Sequence, residues 1–322
     1  MKQIFSMKTK ILTSNQLYKA ARLLHQGQLV AIPTETVYGL AALISSEPAI
    51  SSIFAVKKRP GDNPLIVHVA SFKQIDQVAL SPSKLFFQLA EAFFPGPLTI
   101  IIPRRHDLSP LISAGLDSVA IRMPSHPIAA NLIQMLKAPI VAPSANLSGR
   151  PSATNAQHVL DDFDQKISAV VDGGRATLGV ESTVISLLSN PPVILRPGSI
   201  TKQEIENVLG ITIDVQISLQ KGPIYSPGMK YRHYAPSIPV KLFYKKEQID
   251  SYCEKTDFNK RMLLSTSSLF IENCDYYKLS MQDLYTCFRH AEKNGYSEIL
   301  VFCDSMTQSN ATLMNRLTKA SN

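Results

Sequence analysis

What most constrains this chain is the alternation of short apolar runs with amphipathic stretches. Leu29 to Ile32, Leu65 to Val69, Leu98 to Ile102, Val119 to Met123, Ile140 to Ala142, Val170 to Val171, Thr183 to Leu187 and Val193 to Leu195 have the length and composition of buried strands. Between the runs, apolar residues recur at helical spacing. Leu17, Ala20, Ala21 and Leu24 form one such face, with Ser14 as N-cap and Gly27 just past the end, and Ile50, Ile53 and Phe54 mark another. Further helices are predicted over 83–94, 128–136, 155–163 and 202–209. Strand and helix in turn specify an α/β fold, and the crowding of strands before residue 195 predicts a mixed sheet.

The character changes after Gly210. Residues 216–239 carry Pro223, Pro227, Gly228, Pro236 and Pro239 among few apolar positions, which reads as a long connection, and such connections are usually mobile or functional. Beyond it, Val240 to Phe243, Met262 to Leu264 and Ile299 to Phe302 read as strands, alternating with helical segments over 248–254 and 281–293. The predicted organisation is a catalytic α/β domain over 10–212, a linker or lid over 213–239, and a small doubly wound α/β domain over 240–322.

With 322 residues, 45% apolar and 18% charged, the chain has enough apolar content for two globular cores and too much for disorder. Its net charge of +8 favours anionic partners, although simple solubility explains it equally well. Cys253, Cys274, Cys287 and Cys303 all lie in the last quarter, with no C-x-x-C pair, and read as buried free thiols of a reducing cytoplasm. The N-terminal segment lacks the apolar run of a signal peptide, and no apolar stretch reaches the roughly 18 residues of a membrane span, so neither is expected.

Polar clusters follow the strands, where ligands bind in α/β sheets. They are PTETVYGLA from Pro33, KKRPGDNPLIVHV from Lys57, FPGPLT from Phe94, VAIRMP from Val119, APSANLSGRPS from Ala142, ESTVI from Glu181 and LRPGSI from Leu195. Each has a bland reading. Pro and Gly beside Ser or Thr make turns, Lys57 to Arg59 could be a solvated helix end, His68 a satisfied core histidine, and Arg122 a structural arginine. Neither G-x-x-x-x-G-K-[ST] nor G-x-G-x-x-G occurs.

In this order the seven motifs resemble the YrdC/Sua5 family, and SPGMKYRHYAP over 226–236 resembles the linker of its two-domain Sua5 branch. The resemblance implies a YrdC-like twisted mixed sheet with a concave, positively charged active surface. It also implies synthesis of L-threonylcarbamoyl-AMP from L-threonine, bicarbonate and ATP with release of pyrophosphate, the first step in forming N6-threonylcarbamoyladenosine at tRNA position 37. Residue by residue, it implies a threonine site at Thr36, His68, Arg122, Ala142 and Ser182, and ATP contacts at Arg59, Asn63, Ser118, Ser144, Ser152, Arg196 and Tyr234. Lys57 is added as a further phosphate contact. An arginine suits the amino-acid carboxylate bidentately, while hydroxyls and a carbonyl suit the amine and side chain. Arginines suit a triphosphate that loses pyrophosphate.

No nucleophile and general-base pair stands out, in keeping with chemistry that rests on positioning and electrostatics. Mg2+ is expected with the nucleotide, tRNA threonylcarbamoyl-transfer proteins as downstream partners, and weak tRNA binding is possible on charge grounds. Two other classes are weighed. A non-catalytic RNA-binding module would suit the basic charge but lacks interleaved basic and aromatic residues. A carbamoyl-transfer domain of hydrogenase maturation would bring zinc-binding cysteine pairs that this sequence does not have.

Overall fold

A computed structural model describes residues 8–216, 233–256 and 260–321. The described residues fall into two compact units, one made of 8–148 and 153–216, the other of 149–152 and 233–321. Most of the linker or lid proposed for 213–239, including Lys230 and Arg232, lies outside the described residues.

The first unit contains strands β1 (Lys10–Leu12), β2 (Val30–Ile32), β3 (Gly39–Leu43), β4 (Ile66–His68), β5 (Leu98–Pro103), β6 (Ser118–Arg122), β7 (Ile140–Val141), β8 (Ala169–Val171), β9 (Thr183–Ser186), β10 (Val193–Arg196) and β11 (Asp214–Val215). Its helices are α1 (Leu17–His25), α2 (Glu47–Lys57), α3 (Phe72–Ile75), α4 (Lys84–Phe93), α5 (Pro110–Ser113), α6 (Pro127–Leu136), α7 (Ala156–Phe163) and α8 (Lys202–Leu209). The strands form one sheet in the order β1-β8-β2-β3-β7-β4-β6-β5-β9-β10-β11. It is mixed: β4 runs parallel to β6, while β7 and β5 run antiparallel to that pair.

Both faces of the sheet are covered. Alternate residues along β2 and β3 belong to different cores: Ala31, Leu40 and Ala42 pack with Ile50, Ile53, Phe86 and Phe163. Val30, Ile32, Ala41 and Leu43 pack with Leu17, Leu24, Leu132 and Ile133 of α1 and α6. The period-two alternation of a strand sends successive side chains to opposite faces, so near-continuous apolar runs are what a two-sided sheet demands.

The second unit has strands β12 (Val240–Phe243), β13 (Arg261–Ser265), β14 (Cys274–Lys278) and β15 (Glu298–Phe302), with helices α9 (Lys246–Lys255), α10 (Leu284–Lys293), α11 (Ser305–Ser309) and α12 (Ala311–Ser321). Its sheet is parallel throughout, in the order β12-β15-β13-β14. Buried Leu263 and Leu300 anchor a core with Ile249 of α9.

Several local expectations need correction. Thr13, not Ser14, caps the first helical segment, in a capping box with Gln16. Gly39 to Leu43, read with the polar motif before it, is a buried strand. Of the four thiols, Cys287 and Cys303 are buried, but Cys253 and Cys274 are only half-buried. No helix among the described residues is long and apolar enough to cross a membrane.

Candidate active site

The loop between β2 and β3 is shaped by Thr34. Its hydroxyl donates to the Val37 carbonyl at 2.6 Å and accepts from the backbone N–H of Thr36 and of Val37. It also lies 2.8 Å from the Thr36 hydroxyl. Because the Thr34 proton is committed to Val37, Thr36 donates to Thr34 and leaves its own oxygen as an acceptor. Arg122, at the end of β6, donates Nη1 to that oxygen at 2.8 Å. Its Nε reaches the Gly96 carbonyl in the FPGPLT loop at 3.3 Å, and its Nη2 lies 2.7 Å from Glu35 Oε1.

Glu35 was not singled out from the sequence. It sits between the two threonines of the motif, and its carboxyl is buried with the guanidinium. Burial alone would raise the Glu35 pKa. The charge of Arg122, its hydrogen bond and backbone hydrogen bonds together outweigh this and hold the carboxyl below its ordinary value. Arg122, expected to pair with a substrate carboxylate, is itself held by the protein. Its nitrogens already face Thr36, Glu35 and Gly96, because a buried guanidinium needs a counter-charge and acceptors.

His68 pairs with Arg122 in the register of β4 and β6. Its Nδ1 lies 3.2 Å from the Ile66 carbonyl. Burial, helped by the neighbouring Arg122 charge, pushes the imidazole pKa down to about 3, so the ring is neutral at physiological pH. Ser182 stands at the same end of the sheet, just before β9, which runs parallel to β5. Its hydroxyl lies 2.7 Å from that of Thr99 and accepts from Arg196 Nη2 at 3.0 Å, while Arg196 Nε donates to the Ser182 carbonyl. Gly198 is required here: a Cβ would fall 2.3 Å from the Thr183 nitrogen and 2.6 Å from the Ser182 carbonyl carbon. Thr36, His68, Arg122, Ser182 and Arg196 are thus gathered at one end of the central strands.

The remaining positions of the first unit are spread along the sheet. Ala142 follows β7 and donates its N–H to the Ile66 carbonyl, two residues back along β4 from His68. Ser144 comes next, bridged to Gly39. Ser118 opens β6, so four residues of rise, about 13 Å, separate it from Arg122. Asn63 precedes β4 at that same far end, and Arg59 donates to the Asn63 and Pro64 carbonyls.

Lys57, expected as a phosphate contact, has its ammonium turned to the protein's own backbone. Its ammonium is buried and donates to the carbonyls of Ser144 at 2.5 Å and Asn146 at 2.6 Å. Burial first, and the nearby Arg59 charge second, hold its pKa well below the ordinary lysine value. It is a strut between α2 and the 144–146 turn.

Ser152 and Tyr234 belong to the second unit. There Tyr234, with φ at +65°, stacks on Tyr285 at 5.6 Å between ring centroids, and the Arg316 guanidinium lies 4.9 Å from its ring.

The family model described as "Telomere recombination", which covers Sua5, YciO and YrdC proteins, matches residues 22–198. The model "Threonylcarbamoyl-AMP synthase, C-terminal domain" matches residues 200–322. Threonylcarbamoyl-AMP synthase of Pyrococcus abyssi (strain GE5 / Orsay) is 42% identical over 316 residues, covering 94% of this chain and 93% of that protein. Its counterpart in Bacillus subtilis (strain 168) is 42% identical over 320 residues, covering 95% and 92%. The crystal structure of P. abyssi Sua5 complexed with L-threonine superposes with a TM-score of 0.89 at 38% identity, covering 97% of this chain and 98% of that one. This chain belongs to the threonylcarbamoyl-AMP synthases of the two-domain Sua5 family.

Proposed function

We propose that this enzyme condenses L-threonine, bicarbonate and ATP into L-threonylcarbamoyl-AMP, releasing pyrophosphate. The observation that carries this reading is the buried pair of Arg122 and Glu35 beside Thr36 and neutral His68. A cation and an anion side by side, out of water, complement an amino-acid zwitterion. The threonine carboxylate would take up the guanidinium, and its ammonium would face Glu35. Ser182 and the Ala142 carbonyl are the polar groups assigned to the rest of the amino acid.

The nucleotide would run from Arg196 toward Ser144, Asn63, Arg59 and Ser118 of the first unit; Ser152 and Tyr234 are the further positions that the family resemblance assigns to ATP. The span from Arg122 to Ser118 suits a ligand as long as ATP. In the first step, the threonine ammonium loses a proton to solvent, its nitrogen bonds to the carbon of bicarbonate, and water leaves. In the second, a carbamate oxygen bonds to the α-phosphorus while the bond to the β-phosphate oxygen breaks. Both reactants of that second step are anionic, so the arginines lower its barrier by offsetting repulsion and stabilising the leaving pyrophosphate.

Mg2+ would arrive with ATP. No grouping of His, Cys, Asp or Glu suited to a metal occurs among the described residues, so phosphate oxygens and water would be its ligands. The carbamate and the mixed anhydride are water-labile, which calls for a covered site during turnover. The product would pass to tRNA threonylcarbamoyl-transfer proteins in the cytoplasm, with weak tRNA attraction supplied by the net positive charge.

The test is to incubate the protein with ATP, Mg2+, labelled bicarbonate and single amino acids. Pyrophosphate and the labelled adenylate should appear with threonine and not with unrelated amino acids.

A further inference from the structure

Four residues far from the second unit in sequence, Gly149 to Ser152, are part of it. They are held by one face of α10. Arg289 Nη2 donates to the Pro151 carbonyl at 2.6 Å, and Glu292 Oε2 accepts from Arg150 Nη2 at 2.8 Å. The same α10 face holds the chain around Tyr234. Glu292 Oε1 accepts from the Ser237 N–H, and Tyr285 stacks on the Tyr234 ring. The two held segments are also joined directly, the Ala235 N–H donating to the Gly149 carbonyl at 2.9 Å.

Tyr285, Arg289 and Glu292 follow at i, i+4 and i+7, which places them in one stripe along the helix. The guanidinium of Arg316 of α12, wholly buried, lies 4.9 Å from the Tyr234 ring. Tyr234 itself has the left-handed backbone that non-glycine residues rarely adopt, a conformation that persists only where its surroundings fix it.

We propose that α10 is a positioning element for the nucleotide: Tyr285, Arg289 and Glu292 hold Ser152 and Tyr234 where ATP meets them. This rests on the ATP reading of Ser152 and Tyr234. It gives the C-terminal unit a part in the reaction that its own sequence does not announce. Glu292 is the centre of the device, since its two oxygens tie the 149–152 turn and the 233–237 segment to one side chain. Arg289 fixes the peptide immediately before Ser152.

The experiment compares Glu292→Gln, Arg289→Ala, Arg289→Lys and Arg150→Ala with direct variants Ser152→Ala and Tyr234→Phe. KM for ATP, KM for threonine, kcat and thermal melting are measured in the full-length protein. Glu292→Gln and Arg289→Ala should each raise KM for ATP by about tenfold with KM for threonine unchanged. Arg289→Lys should recover part of the loss. Arg150→Ala combined with Glu292→Gln should be no worse than the poorer single variant, because they remove the same tie. The proposal is overturned if the α10 variants keep the wild-type KM for ATP while Ser152→Ala and Tyr234→Phe raise it. It is equally overturned if both KM values and the melting temperature move together, since the role is then structural. If Ser152→Ala and Tyr234→Phe leave KM for ATP unchanged, the ATP reading fails and the proposal falls with it.

Discussion

Arg122 Nη2 lies 2.7 Å from Glu35 Oε1, both side chains out of water. The ion pair makes each charge depend on the other. Arg122→Ala would leave a buried carboxylate alone, at a cost of about 3–5 kcal/mol. Arg122→Lys keeps the charge but loses the fork. We expect Arg122→Lys to fold and to raise KM for threonine at least tenfold, with KM for ATP little changed. An unchanged KM for threonine would make Arg122 a structural residue.

Glu35→Gln should act on the same substrate. The amide keeps the shape and removes the anion proposed to face the threonine ammonium, so we expect KM for threonine to rise by about tenfold. A fall instead would mean that Glu35 competes with the substrate carboxylate for Arg122.

His68 makes stability depend on pH. Its folded pKa, about 3, lies below its unfolded value near 6.5, so between these limits the unfolded chain binds a proton that the folded chain refuses. Stability contributed by the neutral ring is complete above about pH 6.5 and falls as pH drops toward 3, by at most about 1.4 kcal/mol per pH unit. Urea unfolding of the wild type and His68→Gln at pH 7.5 and 5.5 should show the wild type losing about 1 kcal/mol more on acidification. Parallel losses in the two proteins would contradict this.

Lys57→Met removes the donor shared by the Ser144 and Asn146 carbonyls. The Ser144 carbonyl keeps the Asn146 N–H as a donor, but both carbonyls lose the ammonium, which should cost about 1–3 kcal/mol, visible in chemical unfolding. A stability within 0.5 kcal/mol of wild type, the usual range for surface changes, would show that Lys57 is not a strut.

Gly198→Ala places a methyl group against the Ser182–Thr183 backbone, which lacks the give of a flexible side chain. The start of β9 must then shift, carrying Ser182 and the Arg196 contacts with it. We expect a loss of about 1–3 kcal/mol in stability together with reduced synthesis. Wild-type melting would mean that the chain relaxes elsewhere.

The strands of the first unit were legible wherever both faces are buried, because continuous apolar runs such as Leu98 to Ile102 leave no other reading. β14, CDYYK, was missed because an edge strand needs no apolar run. β3 was hidden in its motif, since Gly and Ala at 39, 41 and 42 carry weak strand signal yet pack with no exposure. In the site, the motif order identified the positions, but their partners were not legible. The contact between Arg122 and Glu35 joins the end of β6 to the loop between β2 and β3, and the hold of Arg289 on Pro151 spans 138 residues of chain. The burial of Lys57 was not legible because a KKR run looks solvated, whereas Lys57 lies on the buried face of α2 and Lys58 caps the helix in the left-handed region.

The central claim is a synthase whose pocket binds threonine, with Arg122 and Glu35 facing its charged groups and Ser182 and the Ala142 carbonyl facing the rest of it. Its most direct test is ATP-dependent pyrophosphate release with labelled bicarbonate, run with threonine, serine, alanine or no amino acid, the adenylate being identified by mass spectrometry. The account predicts that pyrophosphate and labelled threonylcarbamoyl-AMP appear together, that both require threonine and bicarbonate, and that serine is a poor substitute. Pyrophosphate release independent of threonine, or equal product with alanine, would contradict it.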